Sequence, residues 1–496
     1  VEKYDVIVVG SGLGGLVSAN ILAKEGMNVC VLEMNQRIGG ALQSFSREGV
    51  LFNTGLNYSE SLAEGEILHR YFNFLGLMDS LKLQRLDIDA FDKISFANER
   101  IEYPYAQGYD NFVERLCEFF PSEKMNLKNY ILRMADICNH FPLYNLDSNE
   151  PFLQSLSQQQ SASEFIKSST SNIKLQKVLA GMNSLYAGIE GETPMYIHSL
   201  INYSFIKSAW RFVNGSSQLA LLLAKGIKSN GGILLTNAKV VAFDGEHNKI
   251  SHVRLESGEY LQAKWIISNM HPASTLKLLS VGLVYKAYRN RILSLENSVG
   301  MFTLYLVLKE AQMDQFNFNY HHFPNSNVWG TNYSVENWPE HFMMYSPANT
   351  KAGKYANGLI VMAYMKFDEL TQWKHTHRLN RPKAYYEFKN QKSQLLLKAV
   401  YKRFPEIRNQ IKSYYSSTPL TYKDYTGTPD GSAYGILKKA DNPLLSLITP
   451  RSKADNLFFV GQNLNMHGIL GVTISAVMAC QELLGKEYLL NKIRKY

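Results

Sequence analysis

One stretch limits what this chain can fold into more than any other: YDVIVVGSGLGGLVSANILAKEGMNVCVLE, residues 4–33. Residues 5–9 are a short β-branched run, the pattern of a parallel strand buried on both faces. Gly10, Gly12 and Gly15 follow as G-x-G-x-x-G and lead into a helical pattern over 16–25. In such a turn the first glycine permits the tight bend. The second lets the main chain approach a pyrophosphate, and the third lets the helix close on the strand. The free N–H groups and the positive end of the helix then face the phosphates. Gly26 ends the helix, and residues 28–32 form a second strand that delivers Glu33, 33 − 10 = 23 positions after the first glycine. A carboxylate there accepts the hydroxyls of a ribose and disfavours a 2′-phosphate. The register predicts a dinucleotide-binding βαβ unit. A glycine-rich turn without a ligand would leave Glu33 unexplained.

A simple dehydrogenase domain would continue through further βα units. Here Arg37-Ile38-Gly39-Gly40 comes next, then a long excursion beginning GVLFNTGLNYSE. Two later segments return to the opening theme. Residues 218–228 read as a helix stopped by Asn230-Gly231-Gly232. Residues 239–243, 250–255 and 259–262 read as a meander, with turns at Gly245 and Ser257-Gly258, and 265–268 as a separate buried strand. Near the end, residues 456–460 form a strand broken at Gly461. Residues 471–484 form an apolar helix, with Gly468 and Gly471 keeping its first turn free of side chains.

Together these motifs resemble the FAD-containing oxidoreductases that include amine oxidases and carotenoid desaturases. Three segments look like the phytoene desaturase-like family, closest to its carotenoid isomerase and retinol saturase subgroup. They are FNTGLNY (residues 52–58), TYKDYTGTPDGSAYGI (421–436) and VGQNLNMHGILGV (460–472). The resemblance covers nearly the whole chain and implies FAD as the cofactor. It places Gly10, Gly12, Leu13, Gly14 and Gly15 at the pyrophosphate, with Glu33 and Met34 at the ribose side. Gly39, Gly40 and Ala41 would lie against the pyrophosphate, and Val240 would offer main-chain contacts to the adenine. Gly461, Gln462 and Asn463 would follow the cofactor from the last strand. Gly468, Ile469, Leu470, Gly471 and Val472 would bring a helix N-terminus to the pyrimidine end of the flavin, where its dipole stabilises the anionic reduced ring. Three positions depart from the pattern. Ala41 stands where the amine oxidase branch normally has arginine, Gln462-Asn463 where the family commonly has an acid, and Gly215-Ser216 where it has paired glycines.

The fold class expected is α/β. A Rossmann-type FAD-binding domain, discontinuous and glutathione-reductase-like with a β-meander, takes residues 1–66, 212–276 and 440–496. An inserted α+β substrate domain takes 67–211 and 277–439. At 496 residues the chain is long enough for such intimately associated units.

Composition removes several other functions. With 45% apolar and 19% charged residues the chain is an ordinary globular protein. Its net charge of +9 is spread out, without an arginine-rich arm or zinc module, so nucleic acid is not an expected partner. Cys30, Cys117, Cys138 and Cys480 are scattered free thiols, which fits a reducing compartment. No signal peptide is read before the first strand, and the cytoplasm is the expected location. The longest apolar stretch, 468–480, falls short of the roughly 20 residues of a membrane span. The mixed apolar and basic tail, 486–496, permits peripheral contact with anionic lipid at the inner membrane surface; a solvated C-terminal helix accounts for it equally. His321-His322, read as an exposed loop pair, lacks partners at metal-ligand spacing, and no metal is expected.

A flavin exchanges two electrons as a hydride at N5, so the resemblance implies desaturation, saturation or isomerisation of a hydrophobic isoprenoid or polyene. Such a substrate needs a long apolar pocket, and the aromatic-rich stretches 186–210 and 317–345 suit one. Four residues are candidates to orient substrate or move a proton: Asn57, Tyr58, Tyr434 and His467. Each has a structural alternative: a satisfied polar pair for Asn57 and Tyr58, a packed loop tyrosine for Tyr434, and a backbone-bonded turn histidine for His467. His271 is read as closing a strand end, and Cys480 as packing. Two other functions remain open from sequence: an amine oxidase-like enzyme, and a non-catalytic flavin-bearing lipid-binding protein. Substrate identity, the direction of electron flow and the oligomeric state are not legible.

Overall fold

The computed structural model describes residues 2–97, 99–147, 160–349 and 353–496. Two seven-stranded sheets organise them.

The first sheet begins with Glu2–Val9, whose Val6, Ile7 and Val8 are fully buried. It pairs in parallel with Val29–Leu32 on one side and with Tyr260–Ser268 on the other. Ile233–Leu235 extends the parallel array beyond Val29–Leu32. Between the first two strands runs the helix Leu13–Lys24, whose residues 14–23 are all buried. Small side chains on both faces let that helix lie close to the sheet and to the later helices.

The meander differs from the sequence reading in one respect. Residues 259–262 and 265–268, read as two strands, are one continuous strand, Tyr260–Ser268. Its early part pairs antiparallel with Lys249–Leu255, and its last three residues pair in parallel with Leu457–Phe459. From Leu261 onward the strand runs alongside Glu2–Val9. Residues 261–268 are therefore held by the long first strand, a constraint that local alternation does not express.

The second sheet runs in the order Ile411–Ser417, Gly300–Leu308, Gly358–Met365, Phe342–Tyr345, Asn319–Phe323, Asp92–Phe96, Glu102–Tyr105. All its pairings are antiparallel except Asn319–Phe323 with Asp92–Phe96. His321 and His322 lie within Asn319–Phe323 and are buried, which corrects the exposed-loop reading. Their partners come from elsewhere in the chain: Ser184 and Asp92 for His321, and Ser95 for His322.

The tail also differs. Lys486–Ile493 is a helix whose Leu489, Leu490 and Ile493 are fully buried against the protein. Lys492 pairs with Glu25, and the Arg494 guanidinium donates to the Leu146 carbonyl. Leu489, Leu490 and Ile493 are spent on packing, while Tyr488 and Tyr496 stay exposed. Among the described residues no helix is long and apolar enough to cross a membrane.

Candidate functional site

The first strand ends at Gly10, and the helix that follows takes Gly12 as its N-cap with no side chain bonded across its end. Its first-turn N–H groups therefore remain available to an outside acceptor. A Cβ on Gly15 would overlap the Gly10 carbonyl oxygen, so glycine here is the condition for the helix to close on the strand. A Cβ on Gly12 would lie 2.7 Å from Asn269 Nδ2. The glycines leave room for the Asn269 amide to lie against the turn.

Glu33 follows the second strand and is 6% exposed. One carboxylate oxygen accepts the Ser11 N–H at 3.1 Å and the Ser11 hydroxyl at 2.5 Å. The other accepts from the Asn35 N–H and side-chain amide at 2.8 and 3.0 Å. Met34 beside it is 36% exposed. The Ala238 N–H donates to the Glu33 carbonyl at 2.8 Å, which brings the start of the strand Val240–Glu246 alongside.

The second glycine pair meets the first turn directly. Gly39 donates its N–H to the Ser11 carbonyl at 3.0 Å, and a Cβ on Gly40 would lie 3.4 Å from Gly12 Cα. Ala41 follows in the short helical turn Gly40–Leu42. The last strand joins from the opposite side: a Cβ on Gly14 would lie 3.1 Å from the Gly461 nitrogen. Two turns near the start of the sequence and a third near its end share one surface.

Asn269 is the residue sequence reasoning missed. It follows the strand Tyr260–Ser268, and its amide stands against Gly10, Gly12, Gly14 and Gly461. An asparagine at the carboxyl end of a strand adjacent to the glycine-turn strand was the available signal, since ligands of open α/β sheets bind at such ends. His271 two positions on caps the helix Pro272–Leu278 by accepting the Ala273 N–H at 3.2 Å. It closes a helix start rather than a strand end.

From Gly461 the chain passes Gln462 and Asn463 to the helix Gly468–Leu484. The Asn463 amide oxygen accepts the Ile436 N–H at 3.1 Å, and its carbonyl accepts from buried Lys438 at 3.1 Å. Asn463 thus fastens a neighbouring loop. Burial draws the Lys438 ammonium down to about 7. At the helix start Gly468, Ile469, Leu470, Gly471 and Val472 lie in one turn, but the Leu470 N–H is engaged by Glu60 at 3.2 Å. Glu60 is 4% exposed, and burial raises its pKa. This second missed residue carries no motif; its role comes from the short strand Ser59–Glu60 lying beside a helix far along the chain.

Gln462, Tyr434 and His467 line one cavity with Tyr186, Ile197 and Met466. His467 Nε2 lies 3.0 Å from the Leu185 carbonyl, the backbone bond of its structural alternative, and burial lowers its pKa to about 4. The Tyr434 ring lies tilted against it with centroids 4.6 Å apart, and its hydroxyl donates to the Ser184 carbonyl at 2.6 Å. Asn57 and Tyr58 face the second sheet. Asn57 accepts the Tyr345 hydroxyl at 2.7 Å, with its amide 3.3 Å from the Met362 sulfur. Tyr58 donates to Asp92 at 2.6 Å, and burial with that carboxylate raises its pKa well above 10. All four candidates are hydrogen-bonded, Asn57 and Tyr58 to residues of the second sheet and Tyr434 and His467 to the main chain of Ser184 and Leu185.

A sheet whose parallel part bears the glycine turn, together with a mostly antiparallel second sheet, makes a two-part α/β fold. The chain belongs to the family described as flavin containing amine oxidoreductase, which residues 13–484 match. It is thus an oxidoreductase of the flavin-containing type. Human all-trans-retinol 13,14-reductase is 25% identical, over 97% of this chain and 86% of that protein. Chloroplastic prolycopene isomerase 2 of an Oncidium hybrid cultivar is 23% identical, over 97% and 84%. Among solved structures, an oxidoreductase from Methanosarcina mazei superposes with a TM-score of 0.65 at 14% identity, covering 96% of this chain and 98% of the other. A triple mutant of putrescine oxidase gives 0.67 at 13%, covering 100% and 99%. These two likenesses are of fold.

Proposed function

We propose that this protein is an FAD-dependent oxidoreductase acting on carbon–carbon bonds of a hydrophobic polyene or isoprenoid. The observation that carries the cofactor is the meeting of Gly12, Gly40 and Gly461 beside an uncapped helix and a buried carboxylate. A pyrophosphate needs free backbone donors, and the uncapped start of the helix supplies them. Ser11 and Asn35 side chains occupy Glu33 from both sides. Being rotatable, they can yield those positions to the two hydroxyls of a ribose. Bound FAD would supply hydride exchange at N5.

The residues of the chain have the remaining work of holding carbon chains and excluding water. Met343, Met362 and Tyr345 gather around Asn57 on the second sheet, an apolar surface with few polar groups. We assign residues 1–66, 212–276 and 440–496 to the cofactor domain, and 67–211 and 277–439 to the substrate domain. Whole-length similarity to a retinol reductase and a prolycopene isomerase supports the polyene class. Ala41 in place of arginine weighs against amine oxidation.

The test is anaerobic mixing of FAD-loaded protein with retinoids, carotenoids and their saturated forms, followed by flavin absorbance and product mass. A flavin spectral change with one polyene pair is expected. Peroxide release from polyamines without any response to polyenes would replace this reading with amine oxidation. Bound polyene without a flavin response would replace it with a lipid carrier.

A further inference from the structure

Large apolar side chains stand in water around the short helix Lys286–Leu293. Val281, in the loop before it, is 100% exposed, and Tyr285 at its N-cap is 68% exposed. A Cβ added at the neighbouring Gly282 would meet nothing within 4 Å, so the backbone there borders open space. Leu293 ends the helix and is exposed as well. So are Leu444 and Leu445, in the turn closed by the Leu445 N–H donating to the Asn442 carbonyl. An exposed apolar residue standing singly needs no explanation, but a group of them marks an interaction surface.

Two arginines fasten these pieces side by side. Arg289 donates to the Leu276 carbonyl at 2.6 Å and to those of Leu279 and Ser280 at 3.3 Å, which holds the loop carrying Val281 against the helix. Arg291 donates to the Leu445 and Leu447 carbonyls at 2.7 and 3.1 Å, which holds the leucine turn there too. Two positions apart on a helix, the arginines lie on opposite flanks of buried Ile292, so loop and turn border the helix on either side. Lys286, Ala287, Asn290 and Leu293 are left facing outward. Charge follows the same surface. Residues 277–295 hold Lys277, Lys286, Arg289 and Arg291 and no Asp or Glu. The next acid, Glu296, is paired with Lys439 at 2.9 Å, and Asp441 before the leucine turn is a single acid against four cations.

We propose that this face docks the protein on an anionic lipid surface, with Val281, Leu444 and Leu445 entering the acyl boundary and Lys277 and Lys286 meeting headgroup phosphates. Projecting apolar tips with cations beside them match a bilayer interface, where apolar depth lies just beneath negative headgroups. A folded protein partner would have to offer a separate pocket for each tip, whereas fluid acyl chains accept them without one. The docking does not depend on the polyene reading, but it has a bearing on the inner cavity. Lys438 donates to the Ser446 carbonyl of the leucine turn at 2.8 Å, and Ile436, Leu437 and Lys438 line the cavity that Tyr434 and His467 also line. Lipid at Leu444 and Leu445 therefore lies one loop away from that cavity.

The experiment is flotation of the full chain with phosphatidylcholine vesicles, with and without phosphatidylglycerol, at low and high salt. Preferential binding to the anionic vesicles is expected, weakened by salt. Val281→Ser combined with Leu444→Ser and Leu445→Ser should weaken it about tenfold or more. Lys277→Gln with Lys286→Gln should weaken it about tenfold and flatten the salt dependence. The altered side chains are exposed, so thermal unfolding should stay at the wild-type temperature; Val281→Ser alone serves if the triple variant is unstable. Leu221→Ser, at an exposed leucine of the helix Ser217–Ser229, should leave binding unchanged. Absence of any preference for anionic vesicles overturns the docking, and so does undiminished binding in either multiple variant. An equal loss with Leu221→Ser overturns it as non-specific adhesion. A dimer that Val281→Ser dissolves, without vesicle binding, assigns the face to a second copy instead. The flavin response to polyenes is read separately, so the two readings fail independently.

Discussion

Ser11 and Glu33 are joined twice, by the Ser11 N–H at 3.1 Å and its hydroxyl at 2.5 Å, both to one carboxylate oxygen. The serine also holds the second glycine pair, since its carbonyl accepts the Gly39 N–H at 3.0 Å. One small residue thus links the acid after the second strand to both glycine turns. Replacing the carboxylate by an amide, Glu33→Gln, removes two charge-assisted acceptor sites. FAD affinity should fall about tenfold to a hundredfold, with thermal stability lowered much less. Titration of apoprotein with FAD, followed by flavin fluorescence, measures it; undiminished affinity would exclude Glu33 from the ribose contact.

Gly15 and Gly12 should respond differently to the same added methyl group. On Gly15 it overlaps the Gly10 carbonyl, a main-chain atom that cannot step aside. Gly15→Ala should destabilise the fold by about 2–4 kcal/mol, read by urea unfolding. On Gly12 it meets the Asn269 amide at 2.7 Å, the end of a side chain that can turn. Gly12→Ala should remain folded and lose flavin on gel filtration.

Acid sensitivity has a defined source. His271 and His467 are each lowered from 6.5 to about 4, chiefly by burial. The unfolded chain takes up their protons below about pH 6.5 while the folded one does not, so stability falls as pH drops from there toward 4. At about pH 5 each accounts for about 2 kcal/mol of lost stability. His271→Asn preserves an N-cap acceptor for the Ala273 N–H and removes the titration. The difference in unfolding free energy between about pH 7.5 and about pH 5 should shrink in that variant; an unchanged difference would point to other groups.

The tail is expected to matter for folding and not for lipid. Leu490 is fully buried, so Leu490→Ala should cost about 2–4 kcal/mol. Flotation with anionic vesicles should be the same for wild-type and variant protein. Loss of vesicle binding at retained stability would reinstate the lipid-facing reading.

The sequence by itself determined the opening βαβ unit, the glycine turns and the acid after the second strand, because each is a local demand on one backbone and leaves a local signature. It also supplied the apolar helix at the end, to within three residues of its start at Gly468. Tertiary structure alone decided which side chains complete the surface between those turns. Asn269 and Glu60 reach it from strands whose neighbours lie far away in sequence, and no periodicity records such a meeting. The same holds for His321 and His341, polar residues whose burial follows from where neighbouring strands pair and not from the letters around them. Propensity and spacing act over a few bonds; burial is settled by what the folded chain brings alongside.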